Sequence, residues 1–356
     1  MSSDTAAGTD RTGVLDEAYQ RLHQTGPEFE GWLSNHGPMA TEALVRMGYA
    51  SRVHSWLDGY LDRLEDLPRP IMPIGPDQWR EALGDAKRTG DWLVFFAAKA
   101  SRTAWRELLA TWWPRLLPGI AGGATHGVIR TGHAVRALLE AETEPRVAEL
   151  GQALAYWAAR WQPVPLAHSP GGSLDPVVAI AGIPRISDQQ GGIRDRLPRL
   201  ATTPGWESAQ SALRPAQHVD DVPTLLDAVA DAAVTRYAGY AHGNPVMLVH
   251  SATAPSAVLL ALPALPRHQW QASLNAAWSA SAAITSVYAP PQPAPTEHLA
   301  YTPASPEDAA EIAATNGDEH VIKFTEAALL AHARGAGPAA LISAARAAQL
   351  IDPTGG

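Results

Sequence analysis

The chain has 356 residues, 46% of them hydrophobic, so it is long enough to bury one large core or two ordinary ones. Its net charge is −9 and no basic cluster occurs, which argues against sequence-independent binding to nucleic acid, because such binding depends on neutralising phosphates. Cysteine is absent, which excludes disulfides, thiolate catalysis and cysteine-ligated zinc or iron–sulfur sites.

The first twelve residues are small and polar, and they predict a disordered tail at residues 1–12. No convincing domain boundary follows, so we expect one domain over residues 13–350. No signal peptide is visible, and the apolar stretch Trp92–Ala98 is far too short to cross a bilayer. We therefore expect a cytoplasmic protein without a membrane partner.

Apolar residues recur at helical spacing along most of the chain, and strict alternation is nearly absent. This pattern predicts an all-α fold, with long loops rich in proline and glycine around a central cavity. Frequent prolines predict an extended connector at Asp66–Pro76. In chain order, the segments with helical or strongly apolar character are Val14–Gln24, Pro38–Leu64 with a break near Gly48, Gln78–Leu83, Asp91–Trp112, Thr125–Glu142, Val147–Trp161, Val222–Tyr240, Val246–Leu262, Gln269–Ser286, Pro306–Asn316, His320–Arg334 and Pro338–Leu350.

Two segments interrupt the helical pattern. Gln162–Pro204 is rich in proline, glycine and serine and has no sustained period, and Tyr288–Pro303 is rich in proline. Long connections without regular structure often cover a binding site. Both segments are therefore candidate lids.

Lysine is rare in this chain. Of the 27 lysine and arginine residues, only Lys87, Lys99 and Lys323 are lysines. Lys323 lies in an apolar helical stretch three residues after His320, so both side chains leave the same helix face. Unlike arginine, lysine can lose its proton and take up carbon dioxide as a carbamate. Such a pair could hold one metal ion. Alternatively, the lysine stem packs while its ammonium reaches water.

No glycine-rich nucleotide loop, metalloprotease His-Glu-x-x-His or nucleophile elbow occurs, so no flavin, nicotinamide or ATP fingerprint is visible. Imidazoles with an anionic oxygen ligand suit iron, copper, nickel or zinc. Taken singly, each histidine is also explained as a core residue or a helix cap. Four histidines in apolar surroundings or beside helix ends are the candidates: His36, His126, His250 and His320.

Two further motifs contain histidine. His133 lies two helical turns after His126, so both can face one cavity, and His133 is a candidate for contact with a substrate. Packing on a buried helix face explains it equally well. His218 and Asp220 match half of a facial triad for iron, but they precede the helix predicted over Val222–Tyr240. Asp220 or Asp221 is the predicted N-cap of that helix, so Asp220 is better explained as a cap.

Four segments, taken together, resemble the questin oxidase-like family. The resemblance runs in the family's order from about residue 15 to about residue 345, and Asp220-Asp221-Val222-Pro223 also fits the pattern. The four segments are Asn35-His36-Gly37-Pro38-Met39-Ala40, Thr125-His126-Gly127-Val128-Ile129-Arg130, Val249-His250-Ser251-Ala252-Thr253-Ala254 and His320-Val321-Ile322-Lys323-Phe324-Thr325-Glu326-Ala327.

The resemblance implies an all-helical oxygenase that contains non-haem iron (Fe²⁺). By motif, the metal ligands would be His36, His126, His250, His320 and Lys323, with Lys323 carboxylated. The family is linked to oxidative cleavage of anthraquinones and related aromatic polyketides. We therefore expect an oxidoreductase of secondary metabolism that uses dioxygen on a polycyclic aromatic substrate, by carbon–carbon cleavage or by Baeyer–Villiger-type oxygen insertion.

The alternative comes from another class of protein. It is a non-catalytic helical protein that binds an aromatic metabolite, in which the histidines only cap helices and pack. The two hypotheses differ in metal content, because only the oxygenase requires stoichiometric iron. An external reductant such as NADPH, and the oligomeric state, do not follow from the sequence.

Overall fold

The computed structural model describes residues 13–299 and 301–353, so the predicted tail at residues 1–12 lies outside the described residues. The contacts within the chain define two compact units. Unit 1 comprises the residues up to Gln162 together with Pro263–Leu265, and unit 2 comprises Pro163–Leu262 and the residues from Pro266 onward. The predicted single domain over residues 13–350 stays a prediction.

Among the residues of unit 1 that the structure describes, the regular elements are helices apart from one very short antiparallel ribbon. Strands β1 (Glu28–Phe29) and β2 (Leu33–Ser34) pair with Glu28 opposite Ser34 and Phe29 opposite Leu33. The helices of unit 1 are α1 (residues 13–22), α2 (Gly37–Arg46), α3 (Val53–Leu61), α4 (Trp79–Ala82), α5 (Thr89–Ala100), α6 (Trp105–Leu116), α7 (His126–Glu140) and α8 (Glu144–Ala159).

Unit 2 contains only helices among the regular elements of its described residues. They are α9 (Pro176–Ala181), α10 (Ile193–Arg196), α11 (Trp206–Ser211), α12 (Val222–Tyr240), α13 (Pro245–Leu248), α14 (His250–Ala261), α15 (Trp270–Tyr288), α16 (Pro306–Asn316), α17 (Glu319–Ala331) and α18 (Pro338–Leu350). A π-helical turn at His332–Ala336 joins the last two. Short 3-10 turns occur in the chain at Ala50–Arg52, Ala86–Arg88, Leu117–Gly119, Leu197–Thr202, Val219–Asp221, Ala241–Gly243, Leu262–Ala264, Arg267–Gln269 and Thr296–Leu299.

Tryptophan side chains form part of the core of unit 1. The ring of Trp113 meets the ring of Trp157 edge-on at 5.4 Å between centroids. The Trp157 indole N–H donates to the carbonyl oxygen of Gly119 at 3.0 Å, so its buried polar group is satisfied. Gly127 of α7 lies directly under Trp157, and this close approach brings α7 against α8.

Helix α12 is the central element of unit 2. It packs against α9, α14, α15, α17 and α18 and buries Leu225, Leu226 and Val229. The many alanines and serines of α14 and α15 leave short side chains between these helices, which allows them to pack closely. The all-α fold predicted from the sequence is confirmed.

The segment Gln162–Pro204 is more regular than predicted. It contains α9, α10 and the 3-10 turn Leu197–Thr202, and it buries Ile186, whose N–H donates to the carbonyl oxygen of Ser286 at 3.1 Å. Its prolines at Pro176 and in the Leu197–Thr202 turn begin helical turns, where the missing N–H has no cost. The predicted absence of regular structure is therefore wrong, while the lid role stays a prediction.

One helical run among the described residues, Pro245–Ala264, is long and apolar enough to cross a membrane by length and composition. Its mean hydropathy is 1.6, and 72% of it is buried inside the fold. Core helices of globular proteins have the same character. The run therefore carries little weight as an indication of a membrane span.

A first prediction concerns the contact between α7 and α8. A Cβ at Gly127 would lie 2.6 Å from Trp157 Cγ and 2.8 Å from Trp157 Cα, so Gly127→Ala must push the two helices apart. We expect a loss of about 1–3 kcal/mol in the free energy of unfolding, measured by urea denaturation.

The matched control is Gly59→Ala in α3. Gly59 is helical and exposed, and nothing lies within 4 Å of the added Cβ. This variant should be about 0.5–1 kcal/mol more stable than the wild type, because alanine favours the helix. Equal effects of the two substitutions would contradict the close approach at Gly127.

Candidate functional site

His36 lies immediately before α2, and the chain around it is tightly held. Its backbone N–H donates to the Tyr60 hydroxyl at 2.6 Å. Asn35 Oδ1 accepts from the N–H of Gly37 at 2.9 Å, and Asn35 Nδ2 donates to the carbonyl oxygen of Gly26. A Cβ at Gly37 would lie 2.4 Å from Leu22 Cδ2, so a larger residue there would require the Leu22 side chain to move. The sequence Asn35-His36-Gly37 therefore fixes the position of the buried imidazole.

His126 is the first residue of α7 and follows an unusual turn. Gly123, Ala124 and Thr125 all have left-handed backbone conformations, with φ values of 55°, 55° and 70°. For the two residues that are not glycine, this conformation costs roughly 1–2 kcal/mol each. Strain of this kind persists where the surrounding structure over-determines it, and it is frequent at functional sites. The turn places the Gly123 carbonyl oxygen 2.5 Å from His126 Nδ1.

The rings of His36 and His126 meet, and both side chains are buried. Their Nε2 atoms are 2.7 Å apart, and the rings are nearly perpendicular at 77°. Because a carbonyl oxygen can only accept, His126 Nδ1 carries the ring proton and donates it to Gly123. His126 Nε2 therefore presents a lone pair toward His36, which is the tautomer that a metal ligand requires.

Unit 2 repeats this arrangement with His250 and His320. His250 is the first residue of α14, and its Nδ1 donates to the carbonyl oxygen of Met247 at 3.2 Å. His320 Nδ1 lies 3.3 Å from the Asp318 carboxylate, which also caps α17 by accepting the N–H of His320 at 2.7 Å. The ring centroids are 5.6 Å apart. Both histidines are thus oriented through Nδ1.

Lys323 lies one turn after His320 on α17 and is completely enclosed. Its side chain is 1% exposed, and no residue that the structure describes accepts a hydrogen bond from Nζ. Burial lowers the pKa of the Lys323 ammonium to about 8, although the charges of Glu319 and Asp318 oppose this effect. The alternative interpretation, in which the ammonium reaches water, is therefore wrong.

The electrostatics of unit 2 also keep His250 neutral. Burial lowers the pKa of its ring well below the ordinary value, and the nearby charges of His320 and Lys323 lower it further. A neutral imidazole is the form that binds metal ions.

His133 belongs to a buried network in unit 1 that the sequence did not predict. Its Nδ1 donates to Glu42 Oε2 at 2.8 Å, while Arg136 Nε donates to Glu42 Oε1 at 2.8 Å and Arg46 Nε to the same oxygen at 3.1 Å. Burial alone would raise the pKa of Glu42, but the charge of Arg136 and the hydrogen bond with His133 outweigh it and lower the pKa well below its ordinary value. The substrate-contacting role of His133 stays a prediction.

The half-triad at His218 and Asp220 does not form a site. Both side chains are exposed, and Asp220 pairs with Arg267. Asp221 accepts the backbone N–H of His218 at 2.9 Å and holds the N-cap position of α12 without a side-chain capping bond. Of the two predicted N-caps, the structure places Asp221 at that position, whereas the carboxylate of Asp220 is engaged by a long-range ion pair that sequence spacing does not reveal.

The fold and the site residues define an all-helical protein with buried histidines in each of its units. The family model described as Questin oxidase-like matches residues 33–167, and this match confirms the predicted resemblance. The matched residues include His36, His126 and His133, whereas His250, His320 and Lys323 lie beyond them. The family is one of oxygenases, so the match indicates an oxidoreductase. No curated protein matches the chain.

A second prediction concerns Glu42, the centre of the network around His133. Glu42→Gln removes the charge that Arg136 and His133 face in the interior, so we expect a loss of about 3–5 kcal/mol in the free energy of unfolding at pH 7. Because the folded-state pKa of Glu42 is lowered, its contribution is complete above the unfolded pKa of glutamate, about 4.3, and declines as the pH falls further.

Urea unfolding at a series of pH values measures this dependence. Glu140→Gln is the control, since Glu140 also pairs with Arg46 but is 39% exposed, and its loss should be below about 1 kcal/mol. A difference between wild type and Glu42→Gln that stays constant down to pH 3 would show that the carboxylate is not stabilised as an anion.

Proposed function

We propose that this protein is a non-haem iron oxygenase of secondary metabolism that acts on a polycyclic aromatic polyketide of the anthraquinone type. The proposed ligands of one iron ion (Fe²⁺) are His36, His126, His250, His320 and carboxylated Lys323. The observation that carries the proposal is the buried amine of Lys323, which has no hydrogen-bond partner among the described residues and lies near the buried imidazole of His250. The family match over residues 33–167 supports the oxygenase class.

The donor atoms fit a first-row transition metal. Ligating histidines usually donate their other ring N–H to a carbonyl or carboxylate, which fixes the tautomer and raises the basicity of the ligand. His126, His250 and His320 each make this bond through Nδ1. Four neutral imidazoles provide no negative charge, so an anionic oxygen ligand is needed to balance the cation.

Carboxylation of Lys323 would supply that oxygen. The neutral amine attacks the carbon of carbon dioxide, an N–C bond forms, one C=O electron pair moves to oxygen, and the amine releases a proton. The reaction requires the unprotonated amine, which burial favours by lowering the pKa of Lys323 to about 8. Arginine stays charged under the same conditions, so the retention of lysine here is consistent with this chemistry.

When bound, a non-haem iron supplies the activation of dioxygen and a Lewis-acidic contact for a phenolate or enolate oxygen of the substrate. The protein's own contribution is to exclude water and to hold the imidazoles in fixed orientations. His133 is a candidate for contact with the substrate, and its Nδ1 bond to Glu42 fixes the direction of its ring. Carbon–carbon cleavage and Baeyer–Villiger-type oxygen insertion are both reactions of this class.

A third prediction tests the metal and the role of Lys323 together. Freshly purified wild type should contain about one iron per chain, by elemental analysis. Lys323→Arg keeps the charge but cannot form the carbamate, so we expect loss of iron and turnover with an unchanged far-ultraviolet circular dichroism spectrum. Lys323→Glu should restore part of the metal binding, because it returns a carboxylate on a shorter arm.

The matched control is Lys99→Arg, which makes the same substitution at a lysine outside the proposed site and should keep its iron. A normal iron content and a normal turnover rate in Lys323→Arg would show that Lys323 is not a metal ligand. A wild type without metal that still binds aromatic metabolites tightly would instead support the helical binding protein.

A fourth prediction concerns Asp318, which orients His320. Asp318→Asn keeps an oxygen that caps α17 but removes the negative charge that faces His320 Nδ1. The affinity for iron, measured by competition with a chelator, should fall by about 10–100-fold, while the free energy of unfolding of the metal-free protein changes by less than about 1 kcal/mol. Unchanged affinity would mean that the Asp318 carboxylate only caps the helix.

A further inference from the structure

A cavity lies within unit 2, between α9, α12 and α18. Its volume is about 440 Å³, which falls within the roughly 300–1,000 Å³ of small-molecule sites. Its walls are mainly apolar and include Ile180 from α9, Ala232 from α12 and Ile342 from α18. Val177, also in the wall, is 64% exposed, so apolar surface here is open to a ligand.

Arg236 is the one cationic side chain among the described residues that line this cavity. Its guanidinium carbon lies 3.6 Å from the centroid of the Tyr240 ring, which fixes the plane of the guanidinium. No described residue accepts a hydrogen bond from Nε, although this atom is buried. Burial lowers the pKa of Arg236, and only the Tyr240 side chain opposes this effect. Arg236 thus lines the cavity without a carboxylate partner among the described residues.

Helix α12 carries carboxylates, but they form ion pairs with a different arginine. Arg334 pairs with Asp227 at 3.2 Å and also with Asp231. Thr235, next to Arg236, donates its hydroxyl to the carbonyl oxygen of Asp231 at 2.8 Å. A partly buried arginine normally has an anionic partner, because removing its charge from water is unfavourable. For Arg236, none of the described residues provides it.

We propose that this cavity binds a small, largely apolar carboxylic acid whose carboxylate pairs with Arg236. The guanidinium fork matches a carboxylate with two parallel hydrogen bonds, and the apolar walls suit a flat or branched hydrocarbon body. A phosphate fits less well, because the described lining offers one cation and few further donors. This site does not depend on the proposed metal.

The probe is 2-naphthoate, with neutral 2-naphthamide as the isosteric comparison, and binding is measured by calorimetry on the full chain. The wild type should bind 2-naphthoate at least about tenfold more tightly than 2-naphthamide, and Arg236→Gln should remove this difference. Arg199→Gln, which removes an arginine outside the cavity lining, should change the dissociation constant by less than about twofold.

Two further variants separate this site from the proposed metal site and from unfolding. Ala339→Trp fills the cavity from an exposed position and should abolish binding of 2-naphthoate, while Lys323→Arg should bind it as the wild type does. The proposal is overturned if the wild type does not bind 2-naphthoate, if Arg236→Gln or Ala339→Trp binds it normally, or if Lys323→Arg loses binding.

Discussion

A buried imidazole needs a partner for its N–H, and this requirement shapes the candidate site in both units. His126, His250 and His320 each donate from Nδ1 to an acceptor only two or three residues earlier in the chain, at Gly123, Met247 and Asp318. Each histidine also lies at or next to the first residue of a helix. The helix start therefore determines the ring orientation locally, and each Nε2 is directed away from the backbone that holds Nδ1.

The left-handed turn before His126 shows the energetic consequence of this arrangement. Ala124 and Thr125 adopt a conformation that is unfavourable for residues with a Cβ, and glycine at either position would relieve it. The turn nevertheless brings the Gly123 carbonyl oxygen to His126 Nδ1. Packing of α7 against α8, with Gly127 under Trp157, helps to offset the strain. The turn thus orients His126 at a cost in stability, and the packing of the core offsets that cost.

The two units differ in whether their buried charged groups have partners of opposite charge. In unit 1, Glu42 and Glu149 are fully buried carboxylates, and each is matched by arginine and histidine donors, as in the pair between Arg130 and Glu149 at 2.5 Å. These pairs connect α2, α7 and α8 and so support the helices that carry His36 and His126. In unit 2, Lys323 is buried without such a partner among the described residues. An unmatched amine in a core is costly, which is why it is a better candidate for chemistry than the paired groups of unit 1.

The amino-acid sequence by itself determined the helical class and the positions of most helices, because 3.6-residue periodicity and proline or glycine breaks are local properties. It also singled out Lys323 and the four histidines through short motifs. Tertiary structure alone decided that His36 and His126 bring their Nε2 atoms together, that Glu42 holds His133, and that Asp220 pairs with Arg267. These contacts join residues that are 47 to 91 positions apart in the sequence, so local sequence patterns do not predict them. The same holds for the helices within Gln162–Pro204, which are too short to show a period and depend on buried contacts such as that of Ile186.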